Sequence, residues 1–286
     1  MISGSPSRTA VSVAMQRAAH QLLDEPRLFD DPRALEMVGH RNAAEITAHG
    51  ERYRSPIAYG LRAAVVVRSV FAEAQLHAAV ARGVRQYLLL GSGLDTFAFR
   101  NPYPELKVFE VDHPATQQFK EGLVAEAGWV SPPNRICVHT DFEQMQLLHS
   151  LAAAGFDARA PCCISWLGVT MYLRPDVFAR MLACLASLAP GTSLVFDYLL
   201  DRQCLALPEQ VRAEELRERV AAAGEPWLGF FEPGQLQARL CARGFSIEED
   251  LGAEALNARY FAGRTDGMRL SGISRLLHVR LGLTAP

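Results

Sequence analysis

The sequence has no excess of positive charge: 29 lysines and arginines stand against 31 aspartates and glutamates, and the formal net charge is −2. A chain without a basic field has little electrostatic attraction for nucleic acid. No uninterrupted apolar run approaches the ~20 residues that span a bilayer, and the N-terminus lacks the basic and apolar regions of a secretory signal. We therefore expect a cytoplasmic protein with neither a nucleic-acid nor a membrane partner.

The sequence also lacks the paired cysteines of a metal site or a redox motif. Its six cysteines form no C-x-x-C pair, and most of them lie within apolar runs. Buried cysteines usually behave as small apolar side chains, so we expect reduced thiols and no metal ion. The six are Cys137, Cys162, Cys163, Cys184, Cys204 and Cys241.

The sequence does contain a regular alternation of strand-like and helix-like segments. With 286 residues, 49% of them hydrophobic, it fits one large α/β domain or one domain with a small appendage. Such alternation predicts a mostly parallel sheet with helices on both faces. We divide the chain into an N-terminal helical cap (residues 1–82) and a core (residues 83–286), with residues 200–232 as a lid insertion. Strands are expected at 86–91, 107–112, 135–140, 162–167, 193–199, 245–251 and 278–283, and helices at 57–82, 114–127, 143–154, 175–188, 208–222 and 233–243.

The most informative motif is a glycine turn that follows the first of these strands. The apolar run 87–90 stops at Gly91-Ser-Gly93, and two acids, Glu110 and Asp112, end the next strand. A glycine turn with an acid about 20 residues later is the arrangement that binds an adenosine ribose in a Rossmann-type sheet. A dinucleotide fingerprint needs a third glycine where this chain has Thr96, which makes a nicotinamide cofactor the weaker interpretation.

Two later segments follow strands of the same predicted sheet. Asp141 and Phe142 close the third strand, where they could contact an adenine ring, although a helix cap explains Asp141 equally well. The segment from Trp166 through Leu167 to Tyr172 follows the fourth strand. It could form apolar walls with a tyrosine facing the reacting centre, although core packing explains its apolar members equally well.

Taken in order, these motifs resemble the leucine carboxyl methyltransferase family. Within it, the sequence is most similar to the bacterial branch of small-molecule O-methyltransferases that includes polyketide carboxyl methyltransferases. The likeness extends over residues 9–270. It lies in the segments 17–20 (RAAH), 28–32 (LFDDP), 68–73 (RSVFAE), 83–86 (GVRQ), 90–96 (LGSGLDT), 109–114 (FEVDHP) and 166–173 (WLGVTMYL).

The resemblance implies S-adenosylmethionine as cofactor on a Rossmann-like class I methyltransferase fold with a seven-stranded sheet. It implies that Arg68 pairs with the methionine carboxylate and that Asp112 binds the ribose. Leu167 departs from the pattern, because many relatives have a glutamate there, so this wall of the pocket becomes more apolar. The other residues expected to contact the cofactor are Gly91, Gly93, Asp95, Glu110, Asp141, Phe142 and Trp166.

The resemblance also implies methyl transfer to a small-molecule carboxylic acid, giving a methyl ester. A carboxylate is already ionised at neutral pH, so its methylation needs a cation to hold it and no general base. Two alternatives remain: methylation of a hydroxyl, which would need a base, and binding of the cofactor without catalysis. The candidates for holding or orienting the acceptor are Arg17, Arg259, Tyr172 and Tyr198, and the candidate bases for the hydroxyl route are His20, His113 and Tyr172.

Overall fold

A computed structural model describes residues 7–144 and 146–282 as helices around a seven-stranded sheet. The strand order is β3-β2-β1-β4-β5-β7-β6, and only β7 runs antiparallel to its neighbours. This is the predicted mostly parallel sheet. The strands are β1 Gln86–Leu90, β2 Lys107–Asp112, β3 Arg135–His139, β4 Cys163–Trp166, β5 Ser193–Leu199, β6 Phe245–Leu251 and β7 Ser274–Leu281.

The helices cover both faces of the sheet and extend beyond it at the N-terminal side. The sequence did not predict α5 or α11, and α7 is shorter than expected because a 3-10 turn, Phe142–Gln144, precedes it. Residue 283, the predicted end of the last strand, lies outside the described residues. The helices are α1 Arg8–Leu23, α2 Ala34–Met37, α3 His40–Ala48, α4 Pro56–Ala81, α5 Phe97–Arg100, α6 Pro114–Glu126, α7 Leu147–Ala153, α8 Pro175–Ala186, α9 Leu207–Ala222, α10 Pro233–Cys241 and α11 Ala253–Tyr260.

Helix α4 is the longest element, and it joins the N-terminal helices to the sheet. Ser55 caps it by accepting from the N–H of Ala58, and Pro56 occupies its first turn, where a proline loses no hydrogen bond. A stretch of α4 is long and apolar enough to cross a bilayer, with mean hydropathy 1.3, but half of it is buried inside the fold. The core helix of a globular domain has the same composition.

A buried ion pair fastens the N-terminal helices to α4. Arg62 donates from Nε and Nη2 to the two carboxylate oxygens of Asp24, at 2.6 and 2.9 Å. The neighbouring His20 contacts the same carboxylate at 2.8 Å. All three side chains are almost fully buried, so removing one partner would leave an uncompensated charge in the core. The C-terminal end of α1 is therefore held against α4.

Candidate active site

A cavity of about 1090 Å³ lies beyond the carboxyl ends of β1, β2, β4 and β5. Open α/β sheets bind ligands at this edge. Its walls come from α1, the first half of α4, the turn after β1, residues 167–173, the insertion and residues 267–274. Among the predicted residues, those that line it are Arg17, Arg68, Gly91, Gly93, Asp95, Asp112, His113, Asp141, Phe142, Leu167 and Tyr172.

The glycine turn after β1 brings bare backbone to the cavity. Gly91 has φ +70° and Gly93 has φ +48°, a left-handed conformation that other residues adopt only with strain. A Cβ on Gly91 would lie 2.3 Å from Cγ2 of Val169. Both the conformation and the space at Gly91 therefore require glycine.

Asp112 holds the second glycine of this turn in place. Its Oδ2 accepts from the N–H of Gly93 at 2.6 Å, and its Oδ1 accepts from the N–H of His113 at 2.7 Å. Burial raises the pKa of Asp112, although the two N–H donors act in the opposite direction. The carboxylate thus ties the end of β2 to the turn and still faces the cavity.

An ion pair that sequence reasoning missed positions Arg68. Nη1 of Arg68 lies 3.1 Å from Oδ2 of Asp197, whose Oδ1 accepts from the N–H of Gly168 at 2.6 Å. A Cβ on Gly168 would come within 2.6 Å of the Arg68 guanidinium, and the φ of +69° at Gly168 favours glycine. The one signal of Asp197 in the sequence is a lone acid inside the apolar run 193–199.

Arg17 and Asp95 form a second ion pair in the cavity wall. Nη2 of Arg17 donates to Oδ2 of Asp95 at 3.0 Å and also contacts Ser69 Oγ at 3.0 Å. Burial acts to raise the pKa of Asp95, but Arg17 and Arg100 outweigh it and lower that pKa to about 2. Arg17 is therefore engaged by the protein's own acid, although the residue lines the cavity.

The other predicted contact residues that line the cavity also make contacts within the protein. Asp141 accepts from the N–H of Glu143 at 2.9 Å, so it also caps the turn that carries Phe142. Tyr172 packs with Trp227 of the insertion, and burial raises the pKa of its hydroxyl. Leu167 adds an apolar surface to the cavity wall.

Glu110 and Trp166 were predicted to contact the cofactor, but neither lines the cavity. Glu110 lies two residues before the end of β2, below the edge of the sheet, and it pairs with Lys120 and Arg135, each at 2.9 Å. Trp166 is fully buried and stacks on Phe178, with ring centroids 5.4 Å apart. Strand alternation predicted the correct face of β2 for Glu110, but not its distance from the edge of the sheet where the cavity lies. We assign both residues to the core.

Tyr198 and Arg259 were predicted to orient the acceptor, and they too lie outside the cavity. The Tyr198 hydroxyl donates to Asp250 at 3.0 Å on the far side of β5. Nη1 of Arg259 pairs with Glu249 at 2.8 Å, and its guanidinium covers the ring of Phe71. These contacts give both side chains structural roles.

The position of Arg259 leads to a kinetic prediction. Because its charge is neutralised by Glu249 away from the cavity, Arg259→Ala should leave both the acceptor KM and the cofactor affinity within about twofold of wild type. Loss of an exposed ion pair costs stability only about 0–1 kcal/mol. Steady-state kinetics with varied acceptor provides the measurement. A KM raised tenfold or more would return Arg259 to the acceptor site.

The described part of the chain contains no group of three or more histidine, cysteine or acidic side chains arranged to hold a metal ion. All six cysteines lie within that part, and they are free thiols. Cys162 and Cys163 are fully buried, and burial raises their thiol pKa values to about 12 and about 11. Thiols with such pKa values stay protonated and unreactive at neutral pH.

Comparison with solved structures supports the fold. A methyltransferase of Thermobifida fusca superimposes with a TM-score of 0.60 and 21% identity, over 99% of this chain and 97% of that one. A DUF574 family protein of Streptomyces avermitilis gives a TM-score of 0.59 and 17% identity, over 96% and 97% of the two chains. At these identities the likeness concerns the fold, and it confirms the predicted methyltransferase architecture.

Comparison of sequences supports the family. The family model described as leucine carboxyl methyltransferase matches residues 10–186. YktD of Bacillus subtilis, whose name assigns it as an S-adenosyl-L-methionine-dependent methyltransferase, is 31% identical over 291 aligned positions, covering 94% of this chain and 95% of that protein. A protein of Mycobacterium ulcerans with the same assignment is 29% identical, over 79% and 72%. The chain belongs to the leucine carboxyl methyltransferase family and is an S-adenosylmethionine-dependent methyltransferase.

Proposed function

We propose that the protein transfers the methyl group to a carboxylate of a small molecule and forms a methyl ester. The observation that carries this proposal is the state of the candidate bases around the cavity. Methylation of a hydroxyl needs a group that removes a proton, whereas a carboxylate is already ionised, with a pKa near ~4. A site whose candidate bases are engaged is suited to an acceptor that arrives already ionised.

Each of the three candidate bases is unsuited to proton removal. His20 is fully buried outside the cavity, and its Nε2 accepts from the N–H of Leu28 at 3.0 Å. His113 lines the cavity, but its Nδ1 accepts from the N–H of Ala115 at 3.2 Å as a helix cap. The raised pKa of Tyr172 keeps its hydroxyl protonated at neutral pH, when it can donate a hydrogen bond but cannot act as a base.

The residues around the β1 turn fit S-adenosylmethionine. We assign the methionine carboxylate to Arg68, the ribose to Asp112 and the adenine ring to Phe142. The buried Oγ of Ser92, inside the glycine turn, has no partner among the described residues, as expected for a hydroxyl waiting for a polar ligand. The bare backbone at Gly91 leaves room for Val169, which lines the cavity beside the turn.

When bound, S-adenosylmethionine supplies a sulfonium methyl group, and transfer of that methyl to a carboxylate oxygen gives an ester and S-adenosylhomocysteine with no proton to remove. The protein's task is then to hold and align the acceptor and to exclude water. Alignment of two reactants can lower a barrier by on the order of 7–11 kcal/mol. Leu167 contributes to that exclusion because an apolar side chain replaces an acid in the wall.

We propose that the insertion, residues 200–232, closes the cavity together with the start of α1. Glu225 accepts from the backbone N–H groups of Arg8 and Thr9, at 3.1 and 3.0 Å, and from Ser7 Oγ at 3.3 Å. A carboxylate at a helix N-terminus is stabilised by the helix dipole as well as by these bonds. These hydrogen bonds join the insertion to the start of α1 beside the cavity, which supports the assignment of the two segments as a lid.

The proposed function is tested with methyl-labelled S-adenosylmethionine and a panel of matched carboxylic acids, phenols and alcohols. We expect label to be transferred to acids, and mild base to release it as methanol, because esters hydrolyse and ethers do not. Label in base-stable products from phenols or alcohols would contradict carboxylate methylation. Saturable cofactor binding with no transfer to any compound would instead indicate a binding protein without catalysis.

The pH dependence of the reaction gives an independent prediction. Because the acceptor is ionised throughout, kcat/KM for an acid should change less than about threefold between pH 6.5 and 8.5. A hydroxyl acceptor that loses its proton to a base would instead show a rise across this range. A methyl kinetic isotope effect on kcat/KM identifies whether methyl transfer limits this parameter, so that a flat profile cannot be ascribed to slow acceptor binding.

A further inference from the structure

Two arginines at the mouth of the cavity take no part in the proposed methyl transfer. Arg54 ends the 3-10 turn before α4, and Arg269 lies in the loop before β7, and both line the cavity with exposed side chains. Neither makes a side-chain hydrogen bond or an ion pair with any residue that the structure describes. The other cavity arginines differ, since Arg17, Arg68 and Arg212 each pair with an acid.

The two arginines border the same wall. Tyr59, in the first turns of α4, and Leu270, next to Arg269, pack against one shared cluster of buried side chains. The beginning of α4 and the segment 267–274 therefore border the same apolar cluster as well as the same cavity. Two unpaired guanidinium groups that line one cavity favour an anionic ligand there.

Helix α4 connects this mouth to the reacting end. Ile57, Leu61, Ala64 and Arg68 all line the cavity, and their spacing of three or four residues places them on one face of the helix. At 1.5 Å per residue, positions 57 and 68 are separated by roughly 16 Å along the axis. The unpaired arginines and the proposed cofactor carboxylate site thus mark opposite ends of an elongated channel.

The channel between these ends is apolar. Leu61 and Leu228 are 37% and 44% exposed, large values for leucines, and both face the cavity. Large apolar side chains clustered in a concave surface mark a place that a ligand covers. The remaining apolar lining on this side comes from Ile57, Leu216, Val220, Trp227, Leu270 and Ile273.

We propose that the acceptor is an elongated amphipathic dianion. Its methylated carboxylate lies at the Arg68 end, its apolar body follows α4, and a second anionic group at its far end binds Arg54 and Arg269. This inference rests on the proposed carboxylate chemistry and adds the length and the second charge of the substrate. The second group is a carboxylate or a phosphate, which share the charge and oxygen geometry that arginine binds.

Binding of matched acids tests the proposal without requiring turnover. In the presence of S-adenosylhomocysteine and at low salt, calorimetry compares dodecanedioic acid, its ω-phosphono analogue, dodecanoic acid and ω-hydroxydodecanoic acid. We expect a Kd at least tenfold lower for the diacid or the phosphono acid than for the two monoanions. Whichever of the two dianions binds more tightly identifies the second group. Equal binding of monoanions and dianions, or no binding of any acid, would overturn the proposal.

Substitutions test whether the two arginines cause the preference for dianions over monoanions. In Arg54→Gln/Arg269→Gln the tenfold preference should fall below twofold, while dodecanoic acid binds as in wild type. Arg259→Gln removes the same charge outside the cavity and should retain the preference. A preference that survives the double substitution would contradict the assignment. If the dianion preference holds but labelled methyl is found only on hydroxyl groups, the carboxylate chemistry fails and the distal anion site stands.

Discussion

Gly91→Ala should abolish measurable binding of S-adenosylmethionine, raising its Kd at least about 100-fold. The new methyl would lie 2.3 Å from Cγ2 of Val169, far inside contact distance, and the φ of +70° is strained for any residue with a Cβ. The turn can accommodate alanine only by shifting the backbone that we assign to the cofactor. Isothermal titration calorimetry measures the loss, and circular dichroism verifies that the variant is folded.

Two further variants distinguish the steric clash with Val169 from the backbone strain at position 91. Gly128→Ala introduces a Cβ at φ +68°, with no heavy atom within 4 Å, so it should cost about 1–2 kcal/mol of stability and leave cofactor affinity unchanged. Val169→Ala removes the clashing methyl, so Gly91→Ala/Val169→Ala should recover at least about tenfold of the lost affinity. Wild-type affinity in Gly91→Ala would show that the turn is not where the cofactor binds.

Asp112→Ala should weaken cofactor binding by about 100-fold. The substitution removes the proposed ribose contact and also leaves the N–H groups of Gly93 and His113 without an acceptor. A ribose hydroxyl buried without this acceptor would cost about 1–3 kcal/mol of binding free energy, and each 1.4 kcal/mol is a factor of ten in Kd. Asp112→Asn keeps one acceptor oxygen and should fall between the variant and wild type.

The control for Asp112→Ala is Asp176→Ala, which removes an exposed carboxylate paired with Arg174 on helix α8. We expect no change of cofactor affinity there. Calorimetry on both variants, with thermal unfolding to compare their stabilities, distinguishes a binding defect from general destabilisation. Unchanged affinity in a folded Asp112→Ala protein would contradict the ribose assignment.

Much of the fold, and the part of the cavity that we assign to the cofactor, could be predicted from local sequence. An apolar run that ends in Gly91-Ser-Gly93 is typical of a buried parallel strand followed by a tight turn. An acid at the end of the next strand lies close to that turn in a parallel sheet. Those relations span short stretches of chain. For the same reason the predicted strands differ from the observed ones by only a few residues.

The part of the cavity that we assign to the acceptor could not be predicted, because ion pairing depends on tertiary contacts. Arg259 has favourable aromatic neighbours in sequence, yet the fold brings Glu249 to it and turns it away from the cavity. Arg54 and Arg269 have no motif at all, and they matter only because the fold leaves them unpaired at the mouth. The role of Asp197 likewise depends on its ion pair with Arg68, which lies 129 residues away in sequence.

Strand alternation also cannot predict how close a side chain lies to the edge of the sheet. Alternation places Glu110 and Asp112 on one side of β2, but only the second reaches the cavity. The deeper Glu110 meets Lys120 and Arg135, and all three side chains are nearly buried. A charge buried with its partners can be structural, whereas the acid at the strand end remains available to a ligand.

The most direct test is a crystal structure of the protein with S-adenosylhomocysteine. The account predicts the ribose hydroxyls within hydrogen-bonding distance of Asp112, the thioether against the Gly91 turn and the amino-acid carboxylate at Arg68. A ligand bound outside the cavity beyond β1 and β2, or held without contact to Asp112 and Arg68, would contradict it.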